Sequence, residues 1–363
     1  MLNTRLLGLM KESAMQNKGE RKLNSRDLRR FVKDVLVGEG VPPEDADTAA
    51  DVLVTANLSG IDSHGVVRLS HYLRRLRNGT LNKQPHVRYE RKAPGLGVLD
   101  GDHGLGHVVT AMACRWAMKL CEEAGTASVI VRNSSHFGMA GYYVNMLTSH
   151  GYAGMVMTHT DRFLIPFGGK KPFLGTNPVA IGFPTGEIPL ILDMSTTSIP
   201  YGKVVLAKKE GRNIPADWGF DEKGEPTTDP EKIAGLHPIA GPKGSGLAMI
   251  IDIFCGVLSG MPYGPHISRM YVDMDTPRRL GHFITVWDVG RVMERDLFAE
   301  RLRRMIEELH EIPPATGFDR VYYPGEIEGL NRQKRTKDGI PVEKGLYREL
   351  VELGAHYGVA VPG

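Results

Sequence analysis

Residues 104–157 constrain the fold of this chain more than any other stretch. A helical pattern over 104–123 stops at Gly125, and Ala127-Ser128-Val129-Ile130-Val131 follows as one apolar run. A strand apolar on both faces must be covered on both faces, which is how strands behave between helix layers. A Ser/His/Gly turn over 134–138, a short helix at Ala140–Ser149 and a second apolar run at 153–157 complete a strand–helix–strand unit. That rhythm predicts an α/β fold. Further strands are expected at Val179–Phe183, Leu190–Met194 and 283–289, and a Gly-led helix with a broad apolar face at 244–258. The stretch 200–242, rich in Gly, Pro and charge, reads as loops plus an edge hairpin.

Both ends of the chain carry the helical period instead. Ser25 is placed to cap a helix whose inward residues are Leu28, Phe31, Val32, Val35 and Leu36, and Gly38 and Gly40 stop it. Pro42-Pro43-Glu44-Asp45 opens a second helix, running to Leu58. Ser63 caps a third, over 65–77. In the tail, 294–311 is amphipathic, with Leu297, Phe298, Leu302, Met305, Ile306 and Leu309 inward, and 343–356 is helical again. The expected organisation is an extension at 1–21, a helical domain of 22–95 with 294–363, and an α/β domain at 96–293.

Composition excludes several classes. The 45 basic and 42 acidic residues leave a net charge of +3, too small for a nucleic-acid binder that works through a basic field. The basic runs Arg74-Arg75-Leu76-Arg77 and Arg332-Gln333-Lys334-Arg335 read as solvated helix faces, and no aromatic platform accompanies them. No apolar run reaches the ~20 residues of a membrane helix. Cys114, Cys121 and Cys255 form no C-x-x-C and no disulfide framework, which suits a reducing, cytoplasmic setting. His103 and His107 have i, i+4 spacing but lack a nearby acid, so no metal site is expected. There is no P-loop, no H-E-x-x-H and no G-x-S-x-G. The nearest approach to a Rossmann fingerprint, at 104–109, lacks its third glycine.

Four clusters carry candidate chemistry. In the first, Ser63-His64-Gly65-Val66-Val67-Arg68 with Tyr72, His64, Arg68 and Tyr72 would share a helix face, and Arg68 offers a fork suited to a carboxylate. In the second, His136 sits just past the end of a buried strand, where α/β proteins place ligands. The third holds Thr160-Asp161, Pro166-Phe167-Gly168-Gly169 and Gly175-Thr176-Asn177-Pro178. The fourth holds Asp193-Met194-Ser195, Tyr201-Gly202-Lys203 and Pro242-Lys243-Gly244-Ser245-Gly246. Gly-rich turns at helix N-termini suit a phosphate group.

In this order, S-H-G-x-x-R, S-x-H-x-G-x-A, G-T-N-P, D-M-x-T-T and K-G-x-G-L resemble the malate/L-lactate dehydrogenase family of non-Rossmann NAD(P)-dependent oxidoreductases. The resemblance spans residues 22–347. Within the family the chain looks most like the ureidoglycolate dehydrogenases, on Asp161, on Pro-Phe-Gly-Gly at 166–169 and on Ala240-Gly241-Pro242-Lys243-Gly244.

The resemblance implies a non-Rossmann mixed-sheet α/β domain, NAD or NADP as coenzyme, a homodimer or higher homo-oligomer, and hydride transfer between nicotinamide and a small 2-hydroxy acid. It implies His136 as proton acceptor and Arg68 as carboxylate clamp, with Ser63, His64, Tyr72, Asp161 and Asn177 around the substrate. Thr160, Asp193, Met194, Ser195, Lys243, Gly244, Gly325, Glu326 and Ile327 are the implied coenzyme residues. Ureidoglycolate is the expected substrate; malate, lactate, sulfolactate or a cyclic imine acid on the same scaffold is the alternative. A bare Asp161 carboxylate in the pocket would oppose the second carboxylate of malate and accept from ureido N–H groups. Possession of both base and clamp favours an enzyme over a dinucleotide sensor.

Overall fold

The computed structural model describes residues 20–363. It begins with β1 (Arg21–Leu23), α1 (Ser25–Gly38), α2 (Pro43–Leu58), two 3-10 turns, Asp62–His64 and Val66–Arg68, and α3 (Leu69–Arg77). Then come β2 (Arg88–Ala93), β3 (Leu96–Asp100), α4 (Gly106–Ala124), β4 (Thr126–Ser134), α5 (Ala140–Ser149) and β5 (Tyr152–Thr158). The chain continues with β6 (Val179–Phe183), β7 (Leu190–Met194), α6 (Tyr201–Glu210), β8 (Gly219–Phe220), β9 (Gly235–Leu236), α7 (Pro242–Asp252) and β10 (Leu280–Asp288). The tail holds α8 (Arg295–His310), α9 (Glu326–Asp338), β11 (Ile340–Val342) and α10 (Lys344–Tyr357). The expected extension at 1–21 lies outside the described residues except for its last two.

One seven-stranded sheet, of order β2-β3-β4-β10-β5-β6-β7, forms the centre. Within it only β3 and β4 run parallel. The fold is thus α/β with a mixed sheet, not the mostly parallel doubly wound sheet of a Rossmann domain. β10 lies between the two apolar runs, and Ile284 faces Val129 on one side and Val156 on the other. Covering on both faces is realised: Val129 and Val131 pack with α4 and α5 residues, whereas Ile130 packs with Phe283, Ile251 and Cys255. The two chain ends share another core, where Leu28 and Phe31 meet Ile340, Val342 and Leu350, and β1 pairs antiparallel with β11.

Several local expectations are corrected. Asn24, not Ser25, caps α1, its Oδ1 accepting from Arg26 N at 2.9 Å and Asp27 N at 3.3 Å. The stretch 65–77 is not one helix, because two 3-10 turns precede α3. Residues 200–242 contain α6, concealed in the sequence by Gly202 and the β-branched Val204-Val205, poor helix formers that tertiary packing of Val204 overrides. α7 begins at Pro242 and yields to a π-turn, Ile253–Val257. No residue of α8 is buried, and Met305, expected inward, is 66% exposed. The basic runs are not simply solvated. Arg75 is fully buried, Arg332 donates to Asn145 Oδ1 at 3.0 Å, and Arg335 pairs with Asp62 at 2.8 Å.

Candidate active site

The C-terminal ends of β4, β5 and β7 and the N-terminal end of β10 meet at one edge of the sheet. The 3-10 turns after α2 close over that edge. Between them lies a cavity of about 340 Å³, lined by Ser63, His64, Arg68, His136, Thr160, Asp161, Asp193, Met194 and Ser195. Nine of the residues expected from sequence therefore converge, although they come from four separate clusters. Glycine at 65 is what lets the first cluster reach the cavity. A Cβ there would lie 2.1 Å from Asn57 Oδ1, the same oxygen that accepts from Val66 N at 2.9 Å.

His136 sits on the cavity wall. Its Nδ1 is 2.7 Å from Tyr72 Oη, and its Nε2 has no protein partner among the described residues. Tyr72 is buried behind the histidine and is absent from the lining, so it reaches the cavity only through His136. His64 stacks on His136 with ring centroids 5.8 Å apart, and its Nδ1 lies 3.0 Å from Ser63 Oγ. Burial, with the Arg68 field second, lowers the His64 pKa to about 4. Burial and then the neighbouring His64 and Arg68 hold His136 well below the ordinary 6.5. Both rings are therefore neutral at pH 7.

Two guanidiniums face the same space, and they differ. Arg68 donates Nε–H to Ser63 O at 2.7 Å and lies 5.6 Å from the Tyr271 ring centroid. No acid pairs with it among the described residues. Arg278, which the sequence reading missed, is ion-paired to Asp161 at 2.6 Å, and Asp161 also accepts from Met270 N at 3.1 Å. Asp161 is only 3% exposed. It lines the cavity as expected, but its charge is already compensated, which corrects the picture of a bare carboxylate.

A second cavity of about 370 Å³ adjoins the first, sharing Ile61, Met139 and Asp193 with it. Its wall includes Gly141, Ile191, Leu192, Tyr323, Gly325, Ile327, Glu328 and Arg332. Gly325 adopts φ +89°, and a Cβ there would lie 2.9 Å from Ile191 N, so glycine is required where the loop crosses β7. Asp193 stands at the junction. Its side chain opens to the cleft yet is ringed by protein, and this partial withdrawal from water raises its pKa to about 6 despite the bond from Gly141 N at 2.7 Å. The two linked cavities make an elongated cleft that fits a dinucleotide better than either would alone.

Four expected residues are placed elsewhere. Asn177 is fully buried and bonded at both amide atoms, accepting from Thr160 N at 3.0 Å and donating to Ala248 O at 2.9 Å. Glu326 turns inward to Arg320, His310 and Tyr323 N, and so shapes the loop beside the second cavity without lining it. Lys243 and Gly244 start α7 outside the wall of both cavities; Gly244 packs where a Cβ would lie 2.1 Å from Ile239 O. Among the lining residues that sequence reasoning missed are Arg278, Met270, Tyr271, Ile61, Met139 and Glu328. Met139 fills a variable place in S-x-H-x-G-x-A, where its side chain announces no role, and the other five stand in none of the motifs.

Comparison with known proteins gives the setting. The malate/L-lactate dehydrogenase family model matches residues 23–351. The ureidoglycolate dehydrogenase (NAD(+)) of Escherichia coli (strain K12) is 37% identical over 331 residues, covering 91% of this chain and 95% of its own. The structure of malate dehydrogenase from Pyrococcus horikoshii superposes with a TM-score of 0.87 at 34% identity, covering 95% of this chain and 98% of that one. Sulfolactate dehydrogenase from Methanocaldococcus jannaschii gives 0.87 at 35% identity, covering 94% and 98%. The chain belongs to the malate/L-lactate dehydrogenase family.

Proposed function

We propose that this chain oxidises a small 2-hydroxy acid with NAD, and that ureidoglycolate is its substrate. One observation carries the choice: Arg68 is free of acids while Arg278 is neutralised by Asp161. The cavity thus presents one uncommitted cation, matching one carboxylate. A second anionic group, as in malate or sulfolactate, would meet a compensated pair.

Arg68 holds the substrate carboxylate through its planar fork. His136 takes the hydroxyl proton at Nε2, which must then carry the lone pair. That tautomer carries Nδ1–H, which Tyr72 Oη at 2.7 Å can accept, in place of the 3.4 Å contact from Gly138 N–H to the same nitrogen. Ser63 and His64 border the same space and fix the substrate's rotation. A nicotinamide coenzyme held along both cavities, against Thr160, Asp193, Met194, Ser195, Gly325 and Ile327, supplies the hydride acceptor. The substrate loses a proton to His136 and a hydride from the same carbinol, leaving a 2-oxo acid. The choice of NAD follows the relative whose name carries it, the ureidoglycolate dehydrogenase (NAD(+)) of Escherichia coli; the second cavity wall itself carries both signs of charge, Glu328 and Arg332.

Initial rates with ureidoglycolate, malate, lactate and sulfolactate, each with NAD and with NADP, test the reading. Ureidoglycolate with NAD should give the highest kcat/KM. A higher value with malate or sulfolactate overturns the substrate; no turnover with any of them overturns the activity. The three buried, unpaired cysteines fit a cytoplasmic location, which fractionation would check.

The homo-oligomer reading draws support from α7 and its π-turn. Met249, Ile250, Ile253, Val257 and Leu258 are all exposed on consecutive turns. A stripe of this size is uncommon on a monomer, and a second copy of the chain is the occupant we assign to it. Ile250→Asp with Val257→Asp should convert a dimer to a monomer in sedimentation. A parent chain that already sediments as a monomer would refute the assignment.

A further inference from the structure

We propose that Arg75 is a positioning residue that fixes the loop 268–279, and through it the affinity for the hydroxy acid, without touching the substrate. The inference rests on the reading of the first cavity as a hydroxy-acid site.

Arg75 is among the largest fully buried side chains of the described residues, and no carboxylate pairs with it. The nearby acids are committed: Asp273 to Arg269 and Asp161 to Arg278. The guanidinium is spent on backbone. Nη2 donates to Met270 O at 2.8 Å and Asp273 O at 3.4 Å, and Nη1 donates to Thr276 O at 3.2 Å. Buried carbonyls need donors. One planar five-donor fork serves three of them across seven residues of loop, which a lysine ammonium cannot reproduce.

The fourth bond locks the fork. Arg75 Nε donates to His71 Nε2 at 3.1 Å, and His71 packs edge-on to Tyr271 at 5.6 Å between centroids. Burial, with the Arg75 field second, lowers the His71 pKa to about 3, so His71 stays neutral and able to accept throughout the working pH range. Asn78 adds bonds to Asp275 Oδ1 at 2.9 Å and Met274 O at 3.4 Å.

The geometry of α3 gives these contacts a functional meaning. The residue before its first turn is Arg68, and its next turn carries Tyr72 against His136. The following turn carries Arg75. The loop it grips supplies Met270, Tyr271 and Arg278 to the cavity wall. One short helix therefore sets the spacing between the carboxylate clamp and the opposite wall. An apolar side chain would fill the same volume at lower desolvation cost, but it would take away the only donor that Met270 O and Thr276 O have among the described residues, and one of the two on Asp273 O, and leave the loop free to shift.

The test compares Arg75→Met, Arg75→Lys and Asn78→Ala with the parent chain. Arg75→Met should raise KM for the best hydroxy acid about tenfold or more. kcat should change by less than about threefold and NADH affinity by less than about twofold, because none of the residues assigned to the coenzyme belongs to the loop. Arg75→Lys should recover part of the KM but not all of it. Hydrogen exchange should rise across 268–279 and stay at the parent level across 190–194. An unchanged KM in a folded Arg75→Met chain overturns the proposal, as does a loss of NADH binding in proportion to the KM. Should Arg75→Met fail to fold, Asn78→Ala decides, with KM raised about threefold expected and an unchanged KM overturning. If the parent chain turns over no hydroxy acid, the functional reading fails, and the exchange arm still judges the grip on the loop: unchanged protection of 268–279 overturns it.

Discussion

His136→Ala lowers kcat for hydroxy-acid oxidation about 10²- to 10⁴-fold, the range a positioned general base supplies, while NADH binds with unchanged affinity. The split follows from where the side chain stands. His136 lines the first cavity beside Arg68 and is not among the residues assigned to the coenzyme, and the second cavity, with β7 and the loop before α9, lacks it altogether. The lost ring leaves the hydroxyl proton with no acceptor, because Tyr72 is buried behind it and His64 faces Ser63. The parent enzyme also has a defined pH response. Oxidation requires the neutral ring, and burial with the adjacent Arg68 holds the His136 pKa well below 6.5. The oxidative kcat/KM is therefore on its plateau at pH 7 and declines only as acid protonates the ring. His136→Ala should lack that acid limb. Turnover within threefold of the parent would remove His136 from the chemistry. A retained acid limb in the variant would assign it to another group.

How much of this was legible beforehand depends on the range of the interaction involved. The β4 and β5 strands could be read because their apolar runs record burial on both faces, a condition written into every residue of the segment. Where a strand would sit in the sheet could not be read: nothing in 283–289 says that β10 inserts between β4 and β5. α6 was missed for the opposite reason, since Gly202 and Val204-Val205 break up the helix-forming residues around them and the buried contacts of Val204 and Ala207 decide.

The site divides along the same line. Ser63, His64, Arg68 and His136 occupy short segments whose residue types already name their chemistry. Arg278 owes its place to a partner 117 residues away in sequence, so no local pattern betrays it. Asn177 and Glu326 mislead because their neighbours in sequence do line or border the cleft while they turn inward to backbone and Arg320. Arg75 shows the limit of charge patterning. In a run of arginines on one helix, the exposed Arg74 and Arg77 differ from the buried Arg75 only by 100° and 200° of helical rotation.

Asp161→Asn tests the substrate assignment most severely, and the Arg278 pair reverses the origin of the effect. A bare carboxylate would repel malate directly. The structure instead has Asp161 cancelling Arg278, with both side chains almost wholly buried. Removing the acid leaves a guanidinium in the cavity wall with no counter-charge, a change that costs about 3–5 kcal/mol when a buried pair is broken. A second carboxylate on the substrate restores the balance, and a ureido group does not. The amide also keeps a single acceptor oxygen for the two donors, Met270 N–H and Arg278. The variant should therefore lose thermal stability and bind ureidoglycolate more weakly. Its malate-to-ureidoglycolate ratio of kcat/KM should rise at least about tenfold, well within the free energy released by re-pairing the cation. Addition of malate should also recover part of the lost Tm, because a ligand that pairs with the exposed cation stabilises the folded state by mass action. An unchanged substrate ratio, or a Tm that ureidoglycolate restores as well as malate does, would show that Asp161 and Arg278 serve the fold alone and that selectivity lies elsewhere in the wall.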